Sequence, residues 1–171
     1  VNAISTRPIG PEDWQVWRRL RLDALRTDPE MYGSTYAGTL AKDTEEYWRG
    51  ILSSEGVCVI AEDADHNAVG MARVFPLPID GESLPHIISV WVDPAARGRG
   101  AGGAVIEACL DWVRCERSAS AVRLNVKKSN AVARRVYERA GFSVVGPDPE
   151  DPSEFVMQRG SEPGTVDRSV R

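Results

Sequence analysis

Residues 96–103 read Ala-Arg-Gly-Arg-Gly-Ala-Gly-Gly, four glycines and two arginines in eight positions, shortly after the apolar run that ends at Val92. Glycine lets a backbone approach a ligand closely and arginine grips phosphate, so the stretch points to a bound nucleotide. Gly98, Gly100 and Gly103 satisfy G-x-G-x-x-G, but Pro94 intervenes after the apolar run, and the next run ends in Leu124-Asn125-Val126-Lys127-Lys128 without the acid that a dinucleotide ribose needs. Gly98 and Gly103 also have the spacing of a nucleoside triphosphate loop. Ala104 and Val105 then stand where that loop needs Lys and Ser or Thr, so neither the terminal phosphate nor magnesium would be held.

The third pattern, R-x-x-G-x-G, is met by Arg97, Gly100 and Gly102 at a strand-to-helix junction. The backbone N–H groups of residues 98–103 would gather at a helix N-terminus, whose unpaired donors and partial positive charge suit a pyrophosphate. Small residues at Gly98, Gly100, Ala101, Gly102 and Gly103 let it come close. A glycine-rich turn that only caps a helix is the plain alternative.

The elements that would position this loop follow from periodicity. Residues 3–9 read as a strand, and Pro11-Glu12-Asp13 opens a helix in which Trp14, Trp17, Leu20, Leu22 and Leu25 recur near helical spacing. Residues 27–38 are a turn-rich connection, and a second helix follows with Thr44 as its cap. Two apolar runs from Gly56 and Ala68 form a hairpin, and after a Pro/Gly-rich turn the run from Pro85 to Val92 is the third strand of a meander. Helix 100–117, strand 121–126, helix 130–140 and two closing strands complete the order. Residues 86–126 thus form a strand, helix, strand unit of the kind that makes parallel pairing. A single domain over residues 1–159 and a polar, frayed tail over 160–171 are expected.

Composition is that of a soluble globular chain: 171 residues, 42% hydrophobic and 27% charged. With no long apolar run and no secretory pattern at the N-terminus, the expected compartment is the cytoplasm, without membrane contact. Cys58, Cys109 and Cys115 have no metal-binding spacing and read as buried reduced thiols, so no metal is expected. The net charge of −4 is uneven: residues 97–139 hold ten Lys/Arg against four Asp/Glu, a local +6, which leaves −10 elsewhere. A basic excess that starts at the glycines favours a multiply charged anion. Nucleic acid is disfavoured, because no aromatic residues are interleaved with it.

Downstream, Asn130-Ala-Val-Ala133-Arg-Arg-Val-Tyr137-Glu-Arg-Ala-Gly141-Phe142 forms a second motif. Together with Arg97-x-x-Gly100-x-Gly102, and in this order of elements from about residue 3 to 159, the chain resembles the GNAT superfamily of acetyl-CoA-dependent N-acetyltransferases. The resemblance implies an α+β fold with a central, twisted, mostly antiparallel sheet of about six to seven strands, one parallel βαβ crossover, and helices on both faces. It implies acetyl-CoA as cosubstrate, its pyrophosphate on residues 97–103 and its pantetheine arm along Val90, Trp91 and Val92. Arg97 fills the motif position, whereas Arg99 points at solvent or at a 3′-phosphate.

In that family Asn130 would bond the cofactor beside Ala133, a role compatible with capping its helix. Tyr137 matches the tyrosine that protonates the leaving thiolate, although a tyrosine on an apolar face is otherwise core. His86 stands where several members carry a Glu or His base; a bystander at the exposed start of a strand is the alternative. Asn125 cannot take a proton, so the variant with a strand Glu is doubtful here. The acceptor pocket would be walled by Met31, Tyr32, Tyr36, Trp48 and Phe75, with Glu30, Glu45 and Glu46 drawing a cationic amine, either a small molecule or a peptide. A monomer or homodimer is expected, and the competing function is an acyl-CoA sensor that keeps the fold without catalysis.

Overall fold

A computed structural model describes residues 3–79, 82–117, 119 and 121–160. The tail beyond Gly160 lies outside the described residues. Seven strands form one sheet in the order β1-β2-β3-β4-β5-β7-β6, where β1 is Ser5–Ile9, β2 Val57–Glu62, β3 Ala68–Ile79, β4 Glu82–Val92, β5 Ala121–Lys127, β6 Ser143–Pro147 and β7 Glu154–Gly160. All neighbours are antiparallel except β4 and β5, which are joined through helix α4 (Ala101–Trp112). The sheet is thus the mixed one expected, with a single parallel crossover.

Helices cover both faces. Helix α1 (Trp14–Thr27) and α3 (Glu45–Ser53) bury Trp17, Leu20, Leu22, Ala24 and Trp48 against Ile9, Cys58, Ile60, Met71 and Trp91. On the other face α4 packs Ala101, Val105, Ile106 and Cys109 against Val59, Val74, Ile87 and Leu124, and α5 (Ala131–Arg139) adds Tyr137. Alternation along the strands divides them between these two cores. Burial of this much apolar side chain on both sides is the main stabilising term.

Local sequence departs from expectation in four places. The connection 27–38 holds a 3-10 turn, Pro29–Met31, and the start of a short helix α2 (Tyr36–Leu40), capped by Thr35. Helix α4 ends at Trp112 and continues as a π-helical turn, Val113–Arg117. Cys115 is exposed, while Cys58 and Cys109 are buried. The fourth departure is the stretch read as a Pro/Gly-rich turn, which is strand instead: β3 and β4 pair as far as Ile79↔Glu82. Prolines are tolerated there because each faces an open edge. Pairing of β2 with β3 stops at Val74 and that of β5 with β4 starts at His86, so Pro76, Pro78 and Pro85 lie beyond the second ladder and their missing N–H groups cost no bond.

One irregularity shapes the centre of the sheet. Pairing runs to Arg73↔Ile88 and resumes at Met71↔Trp91, so Ser89 and Val90 together oppose Ala72, a β-bulge with Ser89 in the left-handed region at φ 55°. Bulges bend a strand. Parallel pairing of β4 to β5 covers only His86↔Arg123 and Ile87↔Leu124, whereas β5 pairs with β7 along its whole length. From Ile88 to Val92 the side of β4 that faces β5 carries no ladder.

Candidate active site

The glycine loop stands at the mouth of this parting. Gly98 (φ 77°) and Gly100 (φ 89°) are left-handed, and Gly100 is the N-cap of α4. A Cβ built on Gly98, Gly100 or Gly103 would meet nothing within 4 Å, so the loop presents bare backbone to open space. Gly102 differs: its Cβ would touch Val92 and Val136, and the missing side chain lets α4 settle against β4 and α5. Unpaired N–H groups at the start of a 12-residue helix, uncovered by side chains, suit the pyrophosphate expected there.

The arginines of the loop have separate fates. Arg97 turns back on the protein, its Nε donating to the Val92 carbonyl oxygen at 3.0 Å and its Nη2 to Asp28 Oδ2 at 2.6 Å. Its guanidinium therefore braces the loop against β4. Asp28 also accepts from Trp91 Nε1 at 2.8 Å. Burial pushes the Asp28 carboxyl up, but the hydrogen bonds from Trp91 and Arg97 and the charge of Arg97 outweigh it, and the net shift is downward. Trp91 is buried in the α1 and α3 core, while Val90 and Val92 pack toward α4. Arg99 is exposed.

Asn130 caps α5, its Oδ1 accepting from Ala133 N at 3.1 Å, and its Nδ2 reaches Met31 Sδ at 3.4 Å. The connection after α1 thus meets the start of α5. Tyr137 lies one face away, 6% exposed, with its ring edge-on to Phe142 at 6.4 Å. Burial raises its pKa, so the phenol stays protonated through neutral pH.

His86 is not at the exposed strand start that the bystander alternative expected. Because β4 begins at Glu82, His86 is inside the strand, opposite Phe75 and Arg123, and only 9% exposed. Its Nδ1 is buried with no hydrogen-bond partner. Burial and then the Arg123 charge lower its pKa from 6.5, against the opposing charges of Asp148 and Glu154. The imidazole is neutral at pH 7. Asn125, which follows on the same face of β5, donates its Nδ2 to Asp148.

The expected acceptor residues divide. Tyr32 is partly buried, and its hydroxyl donates to the Val90 carbonyl oxygen at 3.0 Å, at the bulge. Tyr36 is partly buried over the α1 and α3 core, and Phe75 lies 6.4 Å from the His86 ring. Trp48 is not a wall: it is 0% exposed, its Nε1 held by Asp43 at 2.7 Å, because the helix turns it into the core. Glu30, Glu45 and Glu46 are all exposed, and Glu45 is tied to Arg49. Sequence reasoning passed over Arg21, which sits on the buried stripe of α1 between Trp17 and Leu25, at i,i+4 spacing from each; an arginine on an apolar stripe was the available signal. A separate surface hollow of about 540 Å³ lies near Arg7, Glu62, Asn67 and Asp93, away from all these groups, and its charges are already paired or capping.

Comparison with known proteins agrees with this geometry. The profile of the acetyltransferase (GNAT) family matches residues 15–142. The mycothiol acetyltransferase of Rhodococcus erythropolis is 31% identical over 136 residues, 78% of this chain and 44% of that protein. That of Beutenbergia cavernae is 30% identical over 129 residues, 75% of this chain and 41% of that protein. The chain spans less than half the length of these relatives. Among solved structures, a GCN5-related N-acetyltransferase from Kribbella flavida superposes with a TM-score of 0.74 at 26% identity, covering 93% of this chain and 98% of that one. The PaiA N-acetyltransferase of Thermoplasma acidophilum, solved in complex with coenzyme A, shares the fold at a TM-score of 0.70 and 17% identity, over 93% and 99% of the two chains.

Replacing Gly100 by Ala puts a Cβ at φ 89° on the surface of the loop. The left-handed strain should cost on the order of 1–2 kcal/mol in urea unfolding, and CoA affinity measured by calorimetry should fall as well. A variant that loses stability yet binds CoA like the parent would remove the loop from the pyrophosphate site.

Proposed function

The chain belongs to the acetyltransferase (GNAT) family, and we propose that it moves the acetyl group of acetyl-CoA to a primary amine by direct attack within a ternary complex. The observation that carries this reading is the parted β4 and β5, with bare glycine backbone at the mouth of the gap and Tyr137 beside it. Acetyl-CoA supplies an activated acyl group as a thioester. The main chain of Val90, Trp91 and Val92 carries no ladder to β5; Tyr32 and Arg97 hold the Val90 and Val92 carbonyl oxygens, and the remaining groups suit an extended amide-bearing arm, which adds to the edge as a further strand would. Residues 98–103 hold the pyrophosphate, with Asn130 and Ala133 at the near end of α5. A backbone N–H at the bulge polarises the acyl carbonyl and supports charge on its oxygen as the nitrogen attacks.

Proton traffic falls to two side chains. An amine with a pKa of about 10.4 is neutral in roughly one part in a thousand at pH 7.4, so a base must take its proton. His86 suits that task, being neutral and with an unclaimed Nδ1. The new C–N bond forms as C–S breaks, the amine's surplus proton goes to His86 directly or through water, and sulfur leaves as thiolate. Tyr137 donates a hydrogen bond to that sulfur. A phenol above pKa 10 facing a thiol near 8.5 does not drive full protonation; it keeps negative charge on sulfur affordable while the bond breaks. Among the described residues no helix is long and apolar enough to cross a membrane, and a donor made in the cytoplasm fits action there.

Calorimetry with CoA followed by turnover on an amine panel tests the reading: tight CoA binding with no acetyl transfer to any amine would leave an acyl-CoA sensor. Tyr137→Phe should reduce kcat by about 100-fold with CoA affinity nearly unchanged, and a matching loss of affinity would make its role packing. For His86, kcat/KM should rise with pH to a plateau through a midpoint below 6.5, since only the neutral imidazole accepts a proton and its pKa is lowered. His86→Ala should remove that acid limb. A variant profile that overlays the parent's would dismiss His86 as the base.

A further inference from the structure

Arg7, Arg18, Arg26, Arg49 and Arg97 each hold an aspartate or glutamate. Arg21 does not. It is partly buried on the inner stripe of α1, its Nη1 is enclosed without a hydrogen-bond partner, and its Cζ lies 4.7 Å from the centre of the Tyr32 ring. The groups close enough to act on its charge are the phenols of Tyr32 and Tyr47, and no carboxylate among the described residues is one of them. A guanidinium keeps its charge in such a place, and an enclosed donor without a partner is costly. The stacking on Tyr32 offsets part of that cost and leaves Nη1 to find its partner elsewhere.

The position of Arg21 gives the enclosed fork a purpose. Tyr32 bonds the Val90 carbonyl at the bulge, and it lies within electrostatic reach of Tyr137. One tyrosine ring therefore separates Arg21 from the place where acyl transfer occurs. On the same side of the sheet, Arg73 lies 5.4 Å from the Phe75 ring with its Nη2 on Ser54 Oγ, and Arg123 follows on β5 with its Nε on Gln158. The glutamates expected to attract a cation, Glu30, Glu45 and Glu46, are exposed on the outside.

We propose that Arg21 binds a carboxylate of the acceptor, so that the amine acetylated here belongs to a molecule that carries an acid as well, held at a distance of about one tyrosine ring from the reacting nitrogen. This rests on the acetyltransferase reading and narrows it to amino acids and related amino carboxylates. Arg21 supplies two parallel N–H donors to a carboxylate in fork geometry. Selection comes from the enclosed Nη1: a neutral or cationic acceptor leaves it without a partner, whereas an acid supplies one.

The test pairs each acid with its carboxamide: β-alanine, 4-aminobutyrate, lysine and glutamate against the corresponding amides. Binding to the CoA-loaded protein is followed by thermal shift, and acetyl transfer by release of the CoA thiol. The expected result is a preference for acid over amide of roughly 10- to 100-fold, in both binding and kcat/KM. Arg21→Met should bring the ratio near one, Arg21→Lys should restore part of it, and CoA affinity should hold in both. Acids that bind no better than their amides, or a ratio that survives Arg21→Met, would overturn the proposal. Acids that bind through Arg21 without being acetylated would overturn Arg21 as an acceptor site, and the acetyltransferase reading itself falls only if no amine of the wider panel is acetylated.

Discussion

Two neighbouring strands that pair for two residues and then separate set most of what this protein can do. A parallel ladder between β4 and β5 would satisfy the main chain from Ile88 to Val92 on both sides; the bulge at Ser89 and Val90 prevents it. Backbone groups left without a ladder still need hydrogen bonds, and Tyr32 and Arg97 supply two of them, to the Val90 and Val92 carbonyl oxygens. The parting cannot close by simple sliding, because β5 is committed to β7 over residues 121–127 and β4 to β3 on its other side. Helix α4 crosses beneath, and the same geometry that leaves a slot in the sheet brings the helix N-terminus and its glycines to the slot's mouth. Affinity for an extended anionic ligand is thus a property of topology more than of any side chain.

Much of this was legible in the sequence and some of it was not. The glycine loop was, because left-handed backbone at Gly98 and Gly100 needs glycine and leaves a pattern that only a few sites share. So was the order of strands and helices, carried by periodicity. The reach of β3 and β4 was hidden by Pro76, Pro78 and Pro85, which read as punctuation unless one knows which edges are unpaired. His86 was misjudged for the same reason: a strand that starts at Glu82 places it well inside. Trp48 and Tyr36 fall in one aromatic-rich stretch, and only packing tells that the first is sealed and the second is not. Exposure of Cys115 was legible in the spacing: six residues after buried Cys109, it falls off the helical stripe of Val105, Ile106, Cys109, Leu110 and Val113.

Charge illustrates the distance between composition and site. A chain with a net charge of −4 and a strongly acidic remainder outside residues 97–139 suggests an attraction for cations. Part of that acid is held by arginines at the surface: Asp13 and Glu62 on Arg7, Asp43 on Arg18, Glu12 and Glu45 on Arg49. Such exposed pairs contribute little stability individually, but they cancel the field that the acids would otherwise project. In the interior, Arg21 has no carboxylate among the described residues acting on it, and Asp148 is held by Asn125. The local balance, and not the sum, is what a ligand in the cleft would meet.

The segment from Asp28 to Tyr32 touches every part of this arrangement. Asp28 joins Trp91 to Arg97, Met31 meets Asn130, and Tyr32 lies between Arg21 and the bulge. Five residues therefore border the glycine loop, the start of α5 and the bulge of β4 at once. Two ligands that lean on one segment are thermodynamically linked: whichever binds first fixes the segment for the second, and the change in affinity is the same in both directions. Any coupling between two such ligands would run through a stretch of chain that belongs to neither motif.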